Sequence, residues 1–118
     1  MNFKFKQEKT VNERKIMCEK FKSRYPGVIP IIIEKDPNAN ITVLDETQFA
    51  IEHTLTAGHL ILMIKKRMKM KKGEALSLLV NGKTVITGSD SLSDIYEKYK
   101  DKEDGYLYIV YTSSLFLG

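Results

Sequence analysis

The sequence predicts an α+β fold in which one long helix packs on a mixed β-sheet. Apolar, β-branched segments typical of strands lie on both sides of a single long stretch, 57–68, whose apolar residues follow helical spacing. Strands separated from strands by one such helix are typical of this class. A length of 118 residues, 42% of them apolar and 29% charged, allows one hydrophobic core, so we expect a single domain over 1–118.

The first predicted element is a helical extension over residues 1–25. Thr10 followed three residues later by Glu13 is typical of a capping box that opens a helix, and the Pro26-Gly27 pair ends it. The apolar residues of this helix recur on one side: Met17, Cys18, Phe21 and Tyr25.

The predicted core, 26–112, begins with two strands. Residues 28–33 are β-branched and apolar, which favours a buried strand. Pro30 has no backbone N–H to donate, which places one side of that strand at a sheet edge. After a turn cluster at 36–40, alternating polar and apolar residues predict a second strand at Gln48–Glu52.

The central helix is predicted to begin after Thr56, a suitable N-cap. Leu62 and Met63 are apolar but fall outside the stripe that packs on the sheet, so the helix has more apolar residues than its core face needs. The stripe itself comprises Ala57, Leu60, Ile61, Ile64 and Met68.

The remaining elements complete a ubiquitin-like β-grasp. A strand at Leu76–Val80 leads through Asn81-Gly82, a strong hairpin signal, into 83–86. Ser91 caps a short helix, and a final strand covers 106–112 before a C-terminal tail, 113–118. The β-grasp is the common fold with this order of elements, and here it carries the N-terminal helical extension.

Residue patterns for catalysis are absent from the sequence. His53 and His59 have no cysteine or carboxylate at metal-ligand spacing. Cys18 lies on a basic helix that could lower the pKa of its thiol, but no base accompanies it, and a buried structural cysteine is favoured. We therefore expect no enzyme, no metal and no cofactor. One cysteine favours the reducing cytosol or nucleus, no apolar run reaches the length of a membrane span, and we expect a cytoplasmic location.

Two segments are strongly basic. Residues 1–24 contain eight basic and three acidic side chains, and 65–72 contains six basic residues in eight. They could attract an anionic membrane, an acidic peptide or a nucleic acid, or simply be solvated surface. No nucleic-acid motif accompanies them, so nucleic acid is not expected as a partner.

Taken along the whole chain, the sequence resembles the lipid-conjugated ubiquitin-like modifiers of autophagy, a family that includes light chain 3 and the GABA-receptor-associated protein. The most specific matching segment is 24–35, Arg-Tyr-Pro-Gly-Val-Ile-Pro-Ile-Ile-Ile-Glu-Lys. Further matches are 55–60, 64–67, 75–76, 80–81, 95–97 and 104–111.

The resemblance implies conjugation through the carboxylate of Gly118. Activating and conjugating enzymes would pass this group through a thioester to the amine of phosphatidylethanolamine, and a processing or delipidating cysteine protease would act on the same end. A glycine lacks a Cβ that would shield the thioester. The linked lipid supplies the two acyl chains that stable anchoring needs, here on autophagosomal membrane.

The resemblance also implies binding of short extended peptides from receptors and adaptors. Such a peptide would add a strand beside 28–34, taken as the edge, and place an aromatic and an aliphatic side chain in two pockets. The first pocket would draw on Phe21, Pro30, Ile32, Ala50 and Tyr106. The second would draw on Phe49, Ile51, Leu55, Leu60 and Met63, with Tyr25 and Arg67 at the rim.

The sequence departs from the family at several of these positions, as a divergent paralogue would. Glu46 and Gln48 stand where lysines are common, so we expect a weaker or shifted preference for acidic residues flanking the peptide motif. Leu117 stands where an aromatic residue usually precedes the terminal glycine. The alternative function is a ubiquitin-like module that binds peptides or anionic surfaces without being conjugated.

Overall fold

The computed structural model of the protein describes residues 2–70 and 74–113. Within these ranges the sheet has the order β2-β1-β5-β3-β4. The central pair β1 and β5 is parallel, and the other neighbours are antiparallel. This mixed sheet with helices on it confirms the α+β β-grasp with its N-terminal helical extension. The helices and strands are α1 (Lys4–Glu8), α2 (Val11–Arg24), β1 (Val28–Lys35), β2 (Gln48–Glu52), α3 (Ala57–Arg67), β3 (Leu76–Val80), β4 (Thr84–Val85), α4 (Leu92–Tyr99) and β5 (Leu107–Ser113).

Helices α2 and α3 begin directly after Thr10 and Thr56, the N-cap residues that the sequence predicted. The Thr10 hydroxyl accepts from the Glu13 N–H at 3.1 Å, while the Glu13 carboxylate accepts from the Thr10 N–H at 2.8 Å. At α3 the Thr56 N–H donates to Nδ1 of His59 at 3.0 Å, so a histidine takes the part that glutamate plays in α2. These bonds satisfy N–H groups that the helices themselves leave unpaired.

The main hydrophobic core lies between α3 and one face of the sheet. The predicted α3 stripe is buried at Ala57, Leu60, Ile64 and Met68, and Ile61 is half-buried. Leu62 is 67% exposed, as expected for a residue outside the stripe. Ile41 and Leu44, in the loop between β1 and β2, also close this core, which the sequence analysis did not predict.

A second apolar cluster lies on the opposite face of the sheet, under α1 and α2. Helix α1 was not predicted as a separate element. Its first amides donate to a strand carboxylate: the N–H groups of Lys4 and Phe5 reach Glu34 at 2.8 and 3.0 Å. The buried members of the cluster are Phe3, Phe5, Cys18, Ile32, Tyr106, Tyr108 and Val110.

The prediction that 28–34 forms the edge of the sheet is wrong. Strand β1 is interior, with β2 on one side and β5 on the other, and β2 is the outermost strand. Pro30 is tolerated because the parallel pairing with β5 starts only at Ile31. The edge is therefore local to Pro30 and does not run along the strand.

Differences at the other elements are small. Asn81 and Gly82 both have positive φ, at 56° and 72°, as the predicted turn requires, but Val80 pairs with Thr84, so the hairpin connection has three residues and not the predicted two. Strand β4 is shorter than predicted, and β5 is displaced by one residue toward the C-terminus. None of the helices in the described ranges is long and apolar enough to cross a membrane.

Candidate peptide-binding site

The outer edge of β2 exposes backbone hydrogen-bonding groups. The Ile33 N–H donates to the Thr47 carbonyl at 2.8 Å, and the His53 N–H donates to the Gly27 carbonyl at 3.0 Å. Because partners alternate along an antiparallel pair, the N–H and C=O groups of Gln48 and Ala50 point away from β1. Within 2–70 and 74–113, no strand pairs with that side of β2.

The first set of predicted pocket residues lies on the face of the sheet that α2 covers. Pro30 pairs directly with Ala50 across the two strands. Ala50 is exposed and Phe21 is half-buried, so these two can meet a ligand. Ile32 and Tyr106 are at most 2% exposed and belong to the floor under that surface.

Tyr25, which the sequence placed at the rim of the second pocket, lies beside the first set. Its ring centroid is 5.3 Å from that of Phe21. The side chain is 48% exposed, so it extends this apolar surface outward from the end of α2.

The second set lies on the opposite face of the sheet, against α3. Leu55 and Met63 are half-buried and pack against the main core, which leaves part of each side chain accessible. Phe49, Ile51 and Leu60 are at most 5% exposed and form the base of this surface.

Arg67 joins the second set to the β1–β2 loop. Its guanidinium lies 5.2 Å from the centre of the Phe49 ring, and it reaches the Glu46 carboxylate at 3.3 Å. Both partners of this ion pair are substantially exposed, so it contributes little to stability. Glu46 does, however, neutralise a positive charge beside the free strand edge.

The two sets therefore lie on opposite faces of the sheet, with the β2 edge between them. Successive side chains of a strand point to opposite faces. Two side chains of an extended peptide point to opposite faces when they are one or three positions apart. A peptide paired with β2 could therefore place one such side chain on each surface.

A buried ionic network, missed from the sequence, holds α2 against the turn before β5. Nε of Arg14 donates to the Asp104 carboxylate at 2.8 Å, and the Tyr108 hydroxyl donates to the same oxygen. Burial alone would lower the pKa of Arg14, but the Asp104 hydrogen bond and nearby negative charge raise it. A lone arginine and aspartate 90 residues apart carry no sequence signal for this pairing.

Cys18 lies in the second cluster and is 2% exposed. Burial raises the pKa of its thiol to about 11, so the basic character of α2 does not activate it. The expected burial of Cys18 is confirmed. A Cβ at Gly105 would stand 3.1 Å from the sulfur, which shows how closely the chain packs there.

Two predicted features lie outside the described residues. They are the conjugation site Gly118 and the end of the second basic segment, Lys71 and Lys72. Among the residues that are described, no group of three or more His, Cys, Asp or Glu side chains is arranged to hold a metal ion.

The mixed sheet packs against α3 and carries an N-terminal helical extension. This architecture is that of a ubiquitin-like protein. Residues 13–118 match the family model described as "Autophagy protein Atg8 ubiquitin like". A crystal structure of Trypanosoma brucei ATG8 is similar with a TM-score of 0.89 and 36% identity, covering 95% of each chain.

Curated relatives agree with that match. Human microtubule-associated protein 1 light chain 3 gamma is 34% identical over 110 residues, covering 92% of this chain and 74% of the relative. Autophagy-related protein 8 of Emericella nidulans is 35% identical over 112 residues, covering 95% and 93%. The chain belongs to the Atg8 family of autophagy ubiquitin-like proteins.

Proposed function

We propose that this protein is a modifier joined through the carboxylate of Gly118 to phosphatidylethanolamine, and that it recruits peptides to autophagosomal membrane. The observation that carries the proposal is family membership across residues 13–118. The conjugation step needs an activating enzyme that adenylates the carboxylate and releases pyrophosphate. A thiol of the activating enzyme then displaces AMP to form a thioester, and a thiol of the conjugating enzyme displaces the first thiol. The lipid amine finally displaces that second thiol and forms an amide.

Reconstitution tests the conjugation directly. The protein is incubated with the family's activating and conjugating enzymes, ATP and vesicles containing phosphatidylethanolamine. We expect a mass gain of one lipid and a shift of the protein to the vesicle fraction, and no gain for a chain that lacks Gly118. If the unaltered chain forms no thioester and gains no lipid, the non-conjugated alternative replaces this proposal.

The second activity, peptide recruitment, is supported by the free edge of β2. Its two outward-facing residues, Gln48 and Ala50, offer backbone groups to an added strand, and apolar surfaces flank them on both faces. In this mode of recognition the backbone hydrogen bonds supply affinity and the side-chain pockets supply selectivity.

Replacing Ala50 by proline tests the edge. Because the Ala50 N–H points away from β1, proline there removes a donor at the edge while leaving the β1–β2 ladder intact. We expect binding of a peptide carrying Trp and Leu three positions apart to fall about tenfold in calorimetry, a loss comparable to one well-made hydrogen bond. Ala50→Ser, which keeps the N–H, is the matched control. Equal binding by all three proteins would exclude strand addition at β2.

A further inference from the structure

A groove that the sequence did not predict lies between α1, the connection from β3 to β4 and the end of α4. It has a volume of about 770 Å³, within the range of sites that hold small ligands. The strands β3 and β4 lie on the other side of β5 from β1 and β2, which places the groove away from the free edge of β2. Its lining combines three lysines, three side-chain amides and the rings of Phe3 and Tyr99.

The three walls of the groove are fixed to the beginning of β5 and the turn before it. The Asn81 N–H donates to the Tyr108 carbonyl at 2.8 Å, which holds the connection from β3 to β4. The Asp101 N–H donates to the Tyr106 carbonyl at 2.8 Å, which holds the end of α4. The Phe3 ring, at the start of α1, lies 5.0 Å from the Tyr108 ring. The groove is therefore formed before a ligand arrives, which reduces the cost of binding.

The lysines give the groove an excess of positive charge. The Lys6 ammonium lies 2.7 Å from the Asp101 carboxylate. Lys100 makes only an exposed contact of 3.7 Å with Glu97, which does not line the groove. Within residues 2–70 and 74–113, the Lys83 ammonium has no ion pair or hydrogen bond. Three lysines and one aspartate line the groove, so its net charge is +2 and it attracts an anion.

Asp101 is occupied by the protein's own donors and positions Lys6. One carboxylate oxygen accepts from the N–H groups of Glu103 and Asp104 at 2.8 and 3.0 Å, and the other accepts from Lys6. Burial alone would raise the pKa of Asp101, but the Lys6 ammonium and these N–H groups lower it. Asp101 therefore stays ionised beside Lys6. An ammonium has three N–H groups, and the contact with Asp101 uses one of them.

We infer that this groove binds a phosphorylated polyol, either a soluble inositol or sugar phosphate or the headgroup of a phosphoinositide lipid. A phosphate monoester carries up to two negative charges on three acceptor oxygens, which suits a cluster of ammonium groups. The side-chain amides of Asn2, Gln7 and Asn81 can donate to and accept from the hydroxyl groups of a polyol. Neither conjugation nor peptide recruitment draws on the lysines of this groove, so binding here is a further activity of the chain.

Two double variants of the full, unconjugated chain test the groove. Lys83→Gln with Lys100→Gln removes two charges from its lining, and both side chains are exposed, so the fold is kept. Lys20→Gln with Lys66→Gln is the matched control, because it removes the same charge from exposed positions on α2 and α3. The soluble ligands are inositol trisphosphate, inorganic phosphate and myo-inositol. The lipid ligands are phosphatidylcholine vesicles with and without phosphatidylinositol phosphate.

We expect calorimetry to show inositol trisphosphate binding about tenfold more tightly than inorganic phosphate, and no binding of myo-inositol. The groove variant should weaken trisphosphate binding about tenfold, as the loss of two charges near an anion implies, and the control should change it by less than about twofold. Amide chemical shifts of Asn81 and Asp101 should move, and those of Gln48 and Ala50 should not. Lysine-dependent binding to the phosphorylated vesicles as well would assign the ligand to a lipid headgroup, and binding of the free trisphosphate alone would assign it to a soluble molecule.

Three other outcomes overturn the inference. If no phosphorylated ligand binds, the groove is not a phosphate site. If both double variants lose affinity equally, the attraction comes from the charge of the whole chain and not from the groove. If a glutamate-rich peptide displaces the trisphosphate and depends on the same lysines, the partner is an acidic protein segment. Because no conjugating enzyme or receptor peptide is present, each of these results leaves the proposed function as it stands.

Discussion

Arg14 and Asp104 form the most deeply buried of the ion pairs found among residues 2–70 and 74–113. Their side chains are 5% and 0% exposed. Arg14 also donates to the carbonyls of Lys6 and Lys9, so one side chain ties α1, α2 and the turn before β5 together. Asp104 in turn accepts from the Tyr106 N–H at 2.8 Å. Neither side chain has a buried nitrogen or oxygen atom without a hydrogen-bond partner, which is the condition for burying charge without a large cost.

Replacing Arg14 by methionine should reduce the free energy of unfolding by about 3 kcal/mol, because it leaves the Asp104 carboxylate buried without its cation. Urea denaturation followed by circular dichroism measures the change. Arg24→Met, on the exposed end of the same helix, is the control and should change stability by less than about 0.5 kcal/mol. A loss below about 1 kcal/mol for Arg14→Met would mean that the carboxylate finds water or becomes protonated.

Under the proposed function, charges on strand β2 and on the loop before it meet the residues that flank the bound peptide. Glu46 neutralises Arg67, and Gln48 lies exposed on the strand itself. Exposed charges act weakly in water, and their effect is screened by salt. The chemistry of this edge therefore adjusts selectivity and association more than total affinity.

The double substitution Glu46→Lys with Gln48→Lys should tighten binding of a peptide with acidic flanks by about fivefold, equivalent to about 1 kcal/mol. Calorimetry at low and high salt measures it, and the gain should shrink at high salt. Lys98→Glu on α4 provides a charge change away from this edge. Unchanged affinity in the double variant would show that flanking acids do not approach this part of β2.

The elements that the sequence predicted well are those specified locally. Capping pairs such as Thr10 with Glu13, and strict alternation in β2, involve residues a few positions apart, so their bounds follow from the sequence. Helix α1 has only five residues, and its N-terminal amides are capped by Glu34, about thirty positions later. Such a partner cannot be recognised from local pattern.

The site was harder to predict than the fold because it depends on which strands pair. Pro30 correctly indicated a missing ladder bond, but a single missing bond does not show that a whole strand is outermost. The residues at the base of both apolar surfaces, including Ile32 and Leu60, are core residues with no exposed surface to offer.

The protein as a whole is a sheet with an apolar cluster on each face, and the cluster under α1 and α2 contains three titratable groups whose pKa values are raised. Cys18, Tyr106 and Tyr108 all lie under α1 and α2. Burial raises the pKa of Cys18 to about 11 and that of Tyr106 to about 12. Burial, followed by the Asp104 hydrogen bond, raises the pKa of Tyr108 further. Folding therefore favours the neutral form of each of these three groups.

Stability should therefore fall at high pH. Below about pH 8.5 these three groups are neutral in both states, and their contribution is fully present. As the pH rises past their unfolded values of 9.0 and 10.0, the unfolded chain ionises first, and the contribution is lost. We expect a loss of about 3 kcal/mol between pH 8 and pH 10.5 by urea denaturation. Cys18→Ala should show roughly half that loss, and a flat profile would contradict the burial of these groups.

The position of β5 has a mechanical consequence. This strand is bonded on both sides, parallel to β1 and antiparallel to β3, and it ends at Ser113. A force transmitted through the residues after Ser113 pulls along the strand axis. The ladder hydrogen bonds lie across that direction and share the load in shear, so they do not open one after another. A tether at this end would therefore load a strand that is bonded on both sides, and the free edge of β2 lies two strands away from β5.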